Sequence, residues 1–489
     1  MNDAAFIAAA TAAFQARLVE AVGELRAART PTEFCSAERR VHALALDLAA
    51  SLTRNALQAV SDEAERRKEA LSVVRKKAAS RGVKIEVERR RKKTLVRTLS
   101  GAVVEVFSPY VRAVPRADEP LKTRGAQGTG VFPVLDQLGI VGRSTPASRL
   151  LVSRAVAEAN SVASARELLA MSGVEIDHKG ALRLTYLVAD DALRHRRAAM
   201  RRQPRNDEGE LAGRRVVVAV DGGRINIRRR VAGRPKKGGR KRFETEWREP
   251  KLLTIYALGE DGKRDKAVHP VIDGTLGDAD AVFELMRYHL FRLGAHRAVD
   301  VTLIADAAKW IWTDRADALR RDLGLPPQRF HEIVDYFHAL ERLGKFAKTR
   351  VDWTELMRRA WLKAQKERLK AGDIEAIEEF FAATERRRGE DLSTERAYWK
   401  RHRERLRFAA FREQGLPNGS GAVESAVRRV VNLRLKGASI CWTEEHAEGL
   451  LHLRAHAKSG RWNELEDAVL ATTGWRPKCR QPKKSAEVA

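Results

Sequence analysis

The spacing of apolar residues changes character near Arg214 and divides the chain. Before it, the apolar positions read as helices. Residues 1–80 are predicted to be wholly helical, and Thr30-Pro31-Thr32-Glu33 supplies a start signal: an N-cap, a proline at the first helical position and a Glu that reaches back. From there a helix without Gly or Pro runs about fifty residues to near Ser80-Arg81-Gly82, long enough to suggest bundling with a partner chain. The apolar positions keep no strict heptad, so a coiled coil is not expected. Thr94–Thr98 and Ala102–Val106 flank Ser100-Gly101 and predict a hairpin, preceded by the basic run Arg89 to Lys93. Residues 113–147, rich in Gly and Pro, predict a linker or extended arm. Helix returns over Ser161–Met171 and again from His178 to Ala189, with a turn at 172–177 where Gly173 can supply the bend. That spacing fits a DNA-binding helix-turn-helix and fits an ordinary αα-corner as well.

From Arg214 onward short apolar runs alternate with helical segments. Strands are expected at 215–220 with 224–228, at 251–258 and at 267–272. A helix at 279–293, a strand at 299–305, a helix at 307–323 and a short strand ending near Val334 follow. Residues 340–414 turn back to charged helix, punctuated by Trp353, Trp361 and Trp399, which are expected to pack its interior. Asn418-Gly419-Ser420-Gly421 breaks the pattern, and the next helix carries Glu424 in its first turn. Thr443 is expected to cap one more helix, through about His456. The expected organisation is a helical region over 1–85, a basic hairpin and linker over 86–147, and a helix-turn-helix region over 148–205. An α/β core over 206–339 resumes over 415–460 after a helical insertion at 340–414, and 461–489 is a basic tail.

Charge narrows the function. Lys and Arg number 93 against 65 Asp and Glu, a net +28 with a pI near 10.4, an excess whose usual cause is a polyphosphate partner. A membrane surface fits less well, because no stretch approaches the ~20 apolar residues of a spanning helix. Ala4 to Phe14 is apolar, but Asp3 stands where a signal peptide carries Lys or Arg, so an Ala-rich helix and a cytoplasmic, nucleoid-associated protein are expected. Cys35, Cys441 and Cys479 lie far apart and form neither a disulfide framework nor a zinc pattern. Gly125, Gly128 and Gly130 do not make a phosphate-binding loop, since no Lys-Ser/Thr follows them.

The candidate chemistry sits at strand ends. Val216 to Val220 stops at Asp221 before Gly222-Gly223, and Val301 to Ala305 delivers Asp306, 306 − 221 = 85 residues later. Three strands, a helix, a strand, a helix, a strand and a late helix is an RNase H-like order, in which the first and fourth strands are neighbours. Asp221 and Asp306 would then meet, and the late helix would add Glu424. Three carboxylates suit two Mg²⁺ ions, with Mn²⁺ as a substitute, acting on phosphate. Beside Asp221, residues 228–242 hold nine Lys or Arg and no acid, and a DNA-backbone grip is expected there from Arg228, Arg229, Arg230, Lys236, Lys237, Arg240, Lys241 and Arg242.

Four ordered blocks resemble the bacterial insertion-sequence DDE transposases of the Mutator-like group, of the ISKra type. They are Val220-Asp221-Gly222-Gly223-Arg224, Ala305-Asp306-Ala307-Ala308-Lys309-Trp310-Ile311-Trp312, Val334-Asp335-Tyr336-Phe337-His338-Ala339, and Gly419 to Ser425 with Arg434-Leu435-Lys436-Gly437 and Trp442. The likeness covers residues 95–460. It implies catalytic and metal-binding roles for Asp221, Asp306 and Glu424, a flanking role for Asp335 and His338, and DNA contacts from Arg434 and Lys436. Relatives are expected to carry a cysteine pair after the early hairpin; Tyr110 to Pro115 has none.

The expected fold is thus an α/β RNase H-like catalytic core with an α-helical insertion, plus a mainly α-helical N-terminal DNA-binding region with a β-hairpin and helix-turn-helix. The expected function is a transposase that binds the terminal inverted repeats of an element, with Lys179 and Arg183 of the second helix facing double-stranded DNA. Cleavage and strand transfer into target DNA would follow, in a homodimer or higher oligomer on DNA. The rival readings are a nuclease of the same fold without strand transfer, and a DNA-binding protein without catalysis.

Overall fold

The computed structural model describes residues 3–113, 130–233, 242–438 and 440–475. The chain forms two compact units, one from residues 1–192 with 466–489 and the other from 193–465.

The first unit begins with helices α1 (Asp3–Ala27), α2 (Pro31–Asp62) and α3 (Ala64–Ala79). Thr30 caps α2 as the sequence predicts: its hydroxyl accepts the Glu33 N–H at 3.2 Å, and the Glu33 carboxylate accepts the Thr30 N–H at 3.1 Å. The expected fifty-residue helix is interrupted at Glu63, whose backbone is extended. The break lets the halves pack separately on a long hairpin, β1 (Ile85–Arg97) and β2 (Val103–Ala113). Leu57 of α2 joins Val96, Val104 and Val106, and Val74 of α3 joins Val111. The basic run Arg89–Lys93 lies inside β1, where the pairing register shifts. By length and composition the α1 segment Phe6–Ala27, 22 residues, matches a membrane-spanning helix, contrary to the expectation of no such stretch. Its charged residues tie it to α2 through Arg17–Asp47 at 3.1 Å and Glu20–Arg40 at 3.2 Å.

A short strand β3 (Gly130–Val131) and helix α4 (Pro133–Gln137) occupy the described part of the expected linker. Helices α5 (Pro146–Glu158), α6 (Val162–Met171) and α7 (His178–Arg202) follow. Leu169, Val174, Ile176, Ala181 and Leu184 close the turn between α6 and α7 over Val152 and Val156 of α5. Gly101 at the hairpin tip has φ +84, and an added Cβ would lie 2.2 Å from the Gly173 carbonyl oxygen. The hairpin tip therefore rests on the turn of the helix pair. Helix α7 continues past the expected Ala189 and across the boundary between the units.

The second unit is built on β4 (Arg215–Gly222), β7 (Lys251–Leu258), β8 (Val271–Thr275), β9 (Asp300–Ala305) and β10 (Phe330–Val334), with β5 (Ile225–Arg230) and β6 (Phe243–Arg248) as a separate two-stranded ribbon. The sheet order is β10-β9-β4-β7-β8. β4, β7 and β8 pair antiparallel, while β9 and β10 run parallel to β4. Val216 to Val220, Leu252, Leu253, Val301, Leu303, Ile304, Ile333 and Val334 are all buried, which is why these runs read as continuous apolar stretches instead of alternating ones.

β8 lies C-terminal to the expected 267–272, because its centre is polar. Asp273 is buried there, accepting from Arg196 at 2.7 Å and lying within 2.9 Å of His289 Nε2 and 3.1 Å of His452 Nδ1. The helix expected at 307–323 is two, α9 (Lys309–Trp312) and α10 (Arg315–Asp322), after α8 (Ala279–Arg292). The insertion comprises α11 (Tyr336–Thr349), α12 (Glu355–Ala371), α13 (Ile374–Arg388), α14 (Ser393–His402) and α15 (Phe408–Glu413). Phe346, Trp353, Trp361, Phe380, Phe381 and Trp399 form its interior. Helix α16 (Gly421–Val427), a π-turn over Arg428–Asn432 and α17 (Glu444–Ser459) return to the sheet. Part of the expected tail is helix, α18 (Trp462–Thr472), and residues 476–489 lie outside the described residues.

Candidate active site

Register builds the site. Val220 lies level with Ala305 across β4 and β9, and Ala305 lies level with Val334 across β9 and β10. The residue after each of these three is an aspartate: Asp221, Asp306 and Asp335. Three neighbouring parallel strands thus end in carboxylates at one level of the sheet.

Each is held differently. Asp221 Oδ1 accepts the Gly222 N–H at 2.7 Å. Asp306 Oδ1 accepts the Ala308 N–H at 3.0 Å, and the Asp306 carbonyl accepts the indole N–H of buried Trp312 at 2.6 Å. Asp335 is fully buried and caps α11: Oδ1 accepts the His338 N–H at 2.8 Å, and Oδ2 accepts the Ser420 N–H. That last bond, with Tyr336 N–H donating to the Asn418 carbonyl at 2.9 Å, staples the 418–420 loop beside the strand ends. The loop opens α16, which packs on β4 and β7 and carries Glu424. Ser420 Oγ donates to Glu424 Oε1 at 3.4 Å. Glu424 thereby joins carboxylates up to 424 − 221 = 203 positions earlier in the chain.

The electrostatics match this crowding. Burial raises the Asp221 carboxyl pKa above its ordinary value; the Gly222 N–H and His338 oppose the rise, and the charges of Asp306 and Glu424 add to it. His338 Nδ1 lies 3.2 Å from Asp335 Oδ1, and this pairing, against burial but with Asp306 and Asp221 nearby, pushes the imidazole up to about 9. Burial would raise Asp335, yet the His338 and Ser420 hydrogen bonds win and bring it down to about 2.

Ligand atoms of Asp335, His338 and Glu424 come within 4.8 Å of one another, a spacing that could hold a metal ion. Both Asp335 oxygens already accept backbone N–H groups, from His338 and from Ser420. Asp221 is desolvated beside the charges of Asp306 and Glu424, a condition that a hard divalent cation would relieve.

Among the expected DNA-contacting residues, Arg228, Arg229 and Arg230 lie on strand β5, which extends beyond the strand expected at 224–228. Lys236, Lys237, Arg240 and Lys241 lie outside the described residues, and Arg242 is exposed. Lys179 is exposed, while Arg183 donates to the Gly142 carbonyl at 2.9 Å. Lys436 is exposed, but Arg434 is buried with its guanidinium 5.2 Å from the Trp442 ring centroid, so it braces the protein interior and is not a surface DNA contact. Trp310 and Trp312 pack at the second strand-helix junction, Trp310 edge-on to Phe283.

Sequence reading assigned no role to Ser420, Glu249 or Lys251. Glu249 abuts Gly222, and Lys251 pairs with Gly222 in register while its Nζ lies 5.6 Å from the Trp310 ring centroid. The signal for Ser420 is the Gly-Ser-Gly before Glu424; Glu249 and Lys251 have none, since only strand pairing brings them to Asp221.

No family model, no curated protein and no solved structure matches the chain.

Proposed function

We propose that this chain is a DDE-type DNA transposase with an RNase H-like core, acting on double-stranded DNA as a dimer or larger assembly. The observation that carries the reading is the convergence of Asp221 and Asp306, at adjacent parallel strand ends, with Glu424 on α16. The RNase H-like reading requires the first and fourth strands of the core as neighbours, and β4 and β9 are paired.

Asp221, Asp306 and Glu424 would hold two Mg²⁺ ions, or Mn²⁺ in their place. Such ions make a bound water or 3′-hydroxyl more acidic and offset charge on the leaving oxygen. Asp335 acts through others: it fixes the 418–420 loop, and so the approach of Glu424, and it fixes His338. His338 supplies positive charge beside the carboxylates. The hairpin and helix-turn-helix of the first unit serve recognition of the element's ends, and their basic residues bind phosphate.

The test is strand transfer by the full-length protein. Asp221→Ala, Asp306→Ala and Glu424→Ala should each abolish cleavage of a labelled end while binding it near wild-type affinity, and EDTA should stop the wild type. Any of the three that cleaves at the wild-type rate leaves the site. Cleavage without joining to a second duplex would favour a nuclease, and binding without cleavage a non-catalytic DNA-binding protein.

A further inference from the structure

The β5–β6 ribbon starts at Ile225, four residues after Asp221, and its two faces differ in chemistry. Cross-strand partners share a face. Ile225 pairs with Arg248, Ile227 with Glu246 and Arg229 with Glu244. On that face both isoleucines are buried, Arg229 is ion-paired with Glu246 at 2.8 Å, and Arg248 lies 3.5 Å from the same carboxylate. It is the packed, charge-balanced side.

The other face is formed by Asn226 with Trp247, Arg228 with Thr245 and Arg230 with Phe243. It carries two arginines and no acid. Its two aromatic rings are half open to solvent, Trp247 at 51% and Phe243 at 49% exposure. The Arg224 guanidinium lies 5.4 Å from the Trp247 ring centroid. The free edge of β5 is stitched to the segment before α17, with Arg228 N–H donating to the Trp442 carbonyl at 2.8 Å and Trp442 N–H donating to the Asn226 carbonyl at 3.0 Å. The β5 edge is therefore closed to a partner strand, and the face beside it stays open.

We propose that this outer face is a stacking platform for unpaired nucleotides of the DNA strand being processed at the adjacent carboxylates, an inference that rests on the function proposed above. Flat rings beside arginines fit a polyanion whose base faces are accessible, and bases present their faces only where the duplex is open or ends. An intact duplex would meet the arginines through its phosphates and leave the rings unused.

The test uses the full-length protein in EDTA, so that binding is read without cleavage. Trp247→Ala with Phe243→Ala should weaken binding to a short labelled single strand, and to a duplex with a 3′ overhang, by about 10-fold or more. Binding to a blunt duplex should stay within about twofold, and Trp247→Phe should restore most of the loss, because a smaller ring still stacks. Wild-type affinity of the double variant for single strands would overturn the platform, and so would an equal loss on blunt duplex. The two readings fail separately. A wild-type protein that grips overhangs through these rings but never cleaves with Mg²⁺ sinks the transposase reading alone. One that cleaves normally while the variant grips overhangs normally sinks the platform alone.

Discussion

Asp335 spends both oxygens on N–H donors and sits beside a cationic imidazole, whereas Asp221 has one N–H and two carboxylate neighbours. Removing each should therefore move stability in opposite directions. Asp335→Ala leaves two buried N–H groups without their acceptor and should cost about 2–3 kcal/mol of unfolding free energy. Asp221→Asn removes a desolvated charge from beside like charges, so its stability in EDTA should equal or exceed that of the wild type while cleavage is lost. Denaturant melts of the two variants check this, and a large loss in Asp221→Asn would mean its carboxylate is structural. The sign for Asp335 follows from its lowered pKa: its stabilisation is present above about pH 4 and is lost as pH falls toward 2. At this scale the sequence was informative about Asp221 and Asp306, because a buried apolar run ending in a charge is a local pattern. Glu424 was legible only through the order of elements and the resemblance, since its place depends on a staple between loop 418–420 and Asp335.

At the scale of elements, the ribbon shows why charge runs mislead. Residues 228–242 lack an apolar alternation, yet Arg228, Arg229 and Arg230 continue β5, which is ordered by its pairing with β6 and by Ile225 and Ile227. The alternation of faces also separates three consecutive arginines. Arg229 is already paired with Glu246, while Arg228 and Arg230 face outward. Arg228→Gln with Arg230→Gln should weaken binding to DNA of any sequence and lower the salt slope by about 0.9 for each phosphate no longer neutralised. Arg229→Gln should change the slope little. Equal slopes for the two proteins would show that the face assignment does not govern phosphate binding. The break at Glu63 was illegible for a related reason: neither Gly nor Pro marks it, and only the two separate packing surfaces for Leu57 and Val74 account for it.

For the whole molecule, buried histidines set the acid limit of the second unit. Burial pushes His289 down to about 4, against the pull of Asp273 and with Arg292 helping. His452 is pushed down to about 3 by burial, opposed by Asp273 and aided by Arg196 and His456. Burial with Arg405, Arg401 and Arg342 brings His402 down to about 4. All three stay neutral in the fold, whereas the unfolded chain takes up their protons near pH 6.5. Stability is thus complete above about pH 6.5 and falls as pH drops toward 4, because the unfolded chain takes up protons that these buried imidazoles do not. Thermal melts should show a clearly lower midpoint at pH 5 than at pH 7.5, and a flat profile across that range would contradict the burial of these imidazoles as neutral groups.

The first unit also draws on the far end of the chain. Fully buried Arg149 bonds Asp191 at 3.1 Å and the Thr473 hydroxyl at 2.7 Å, and Asp136 accepts the Trp475 N–H. Sequence reading set a boundary at 205 and a tail from 461, because nothing local marks a contact between residues 473 − 149 = 324 positions apart. The consequence is one of timing during synthesis. A ribosome must pass residue 475 before Thr473 and Trp475 can take their places, so the unit proposed to recognise DNA ends closes only after Asp221, Asp306 and Glu424 already exist in the nascent chain. A message cut short anywhere upstream of them would yield a chain with an unfinished first unit, and under the proposed function such products would compete poorly for DNA ends.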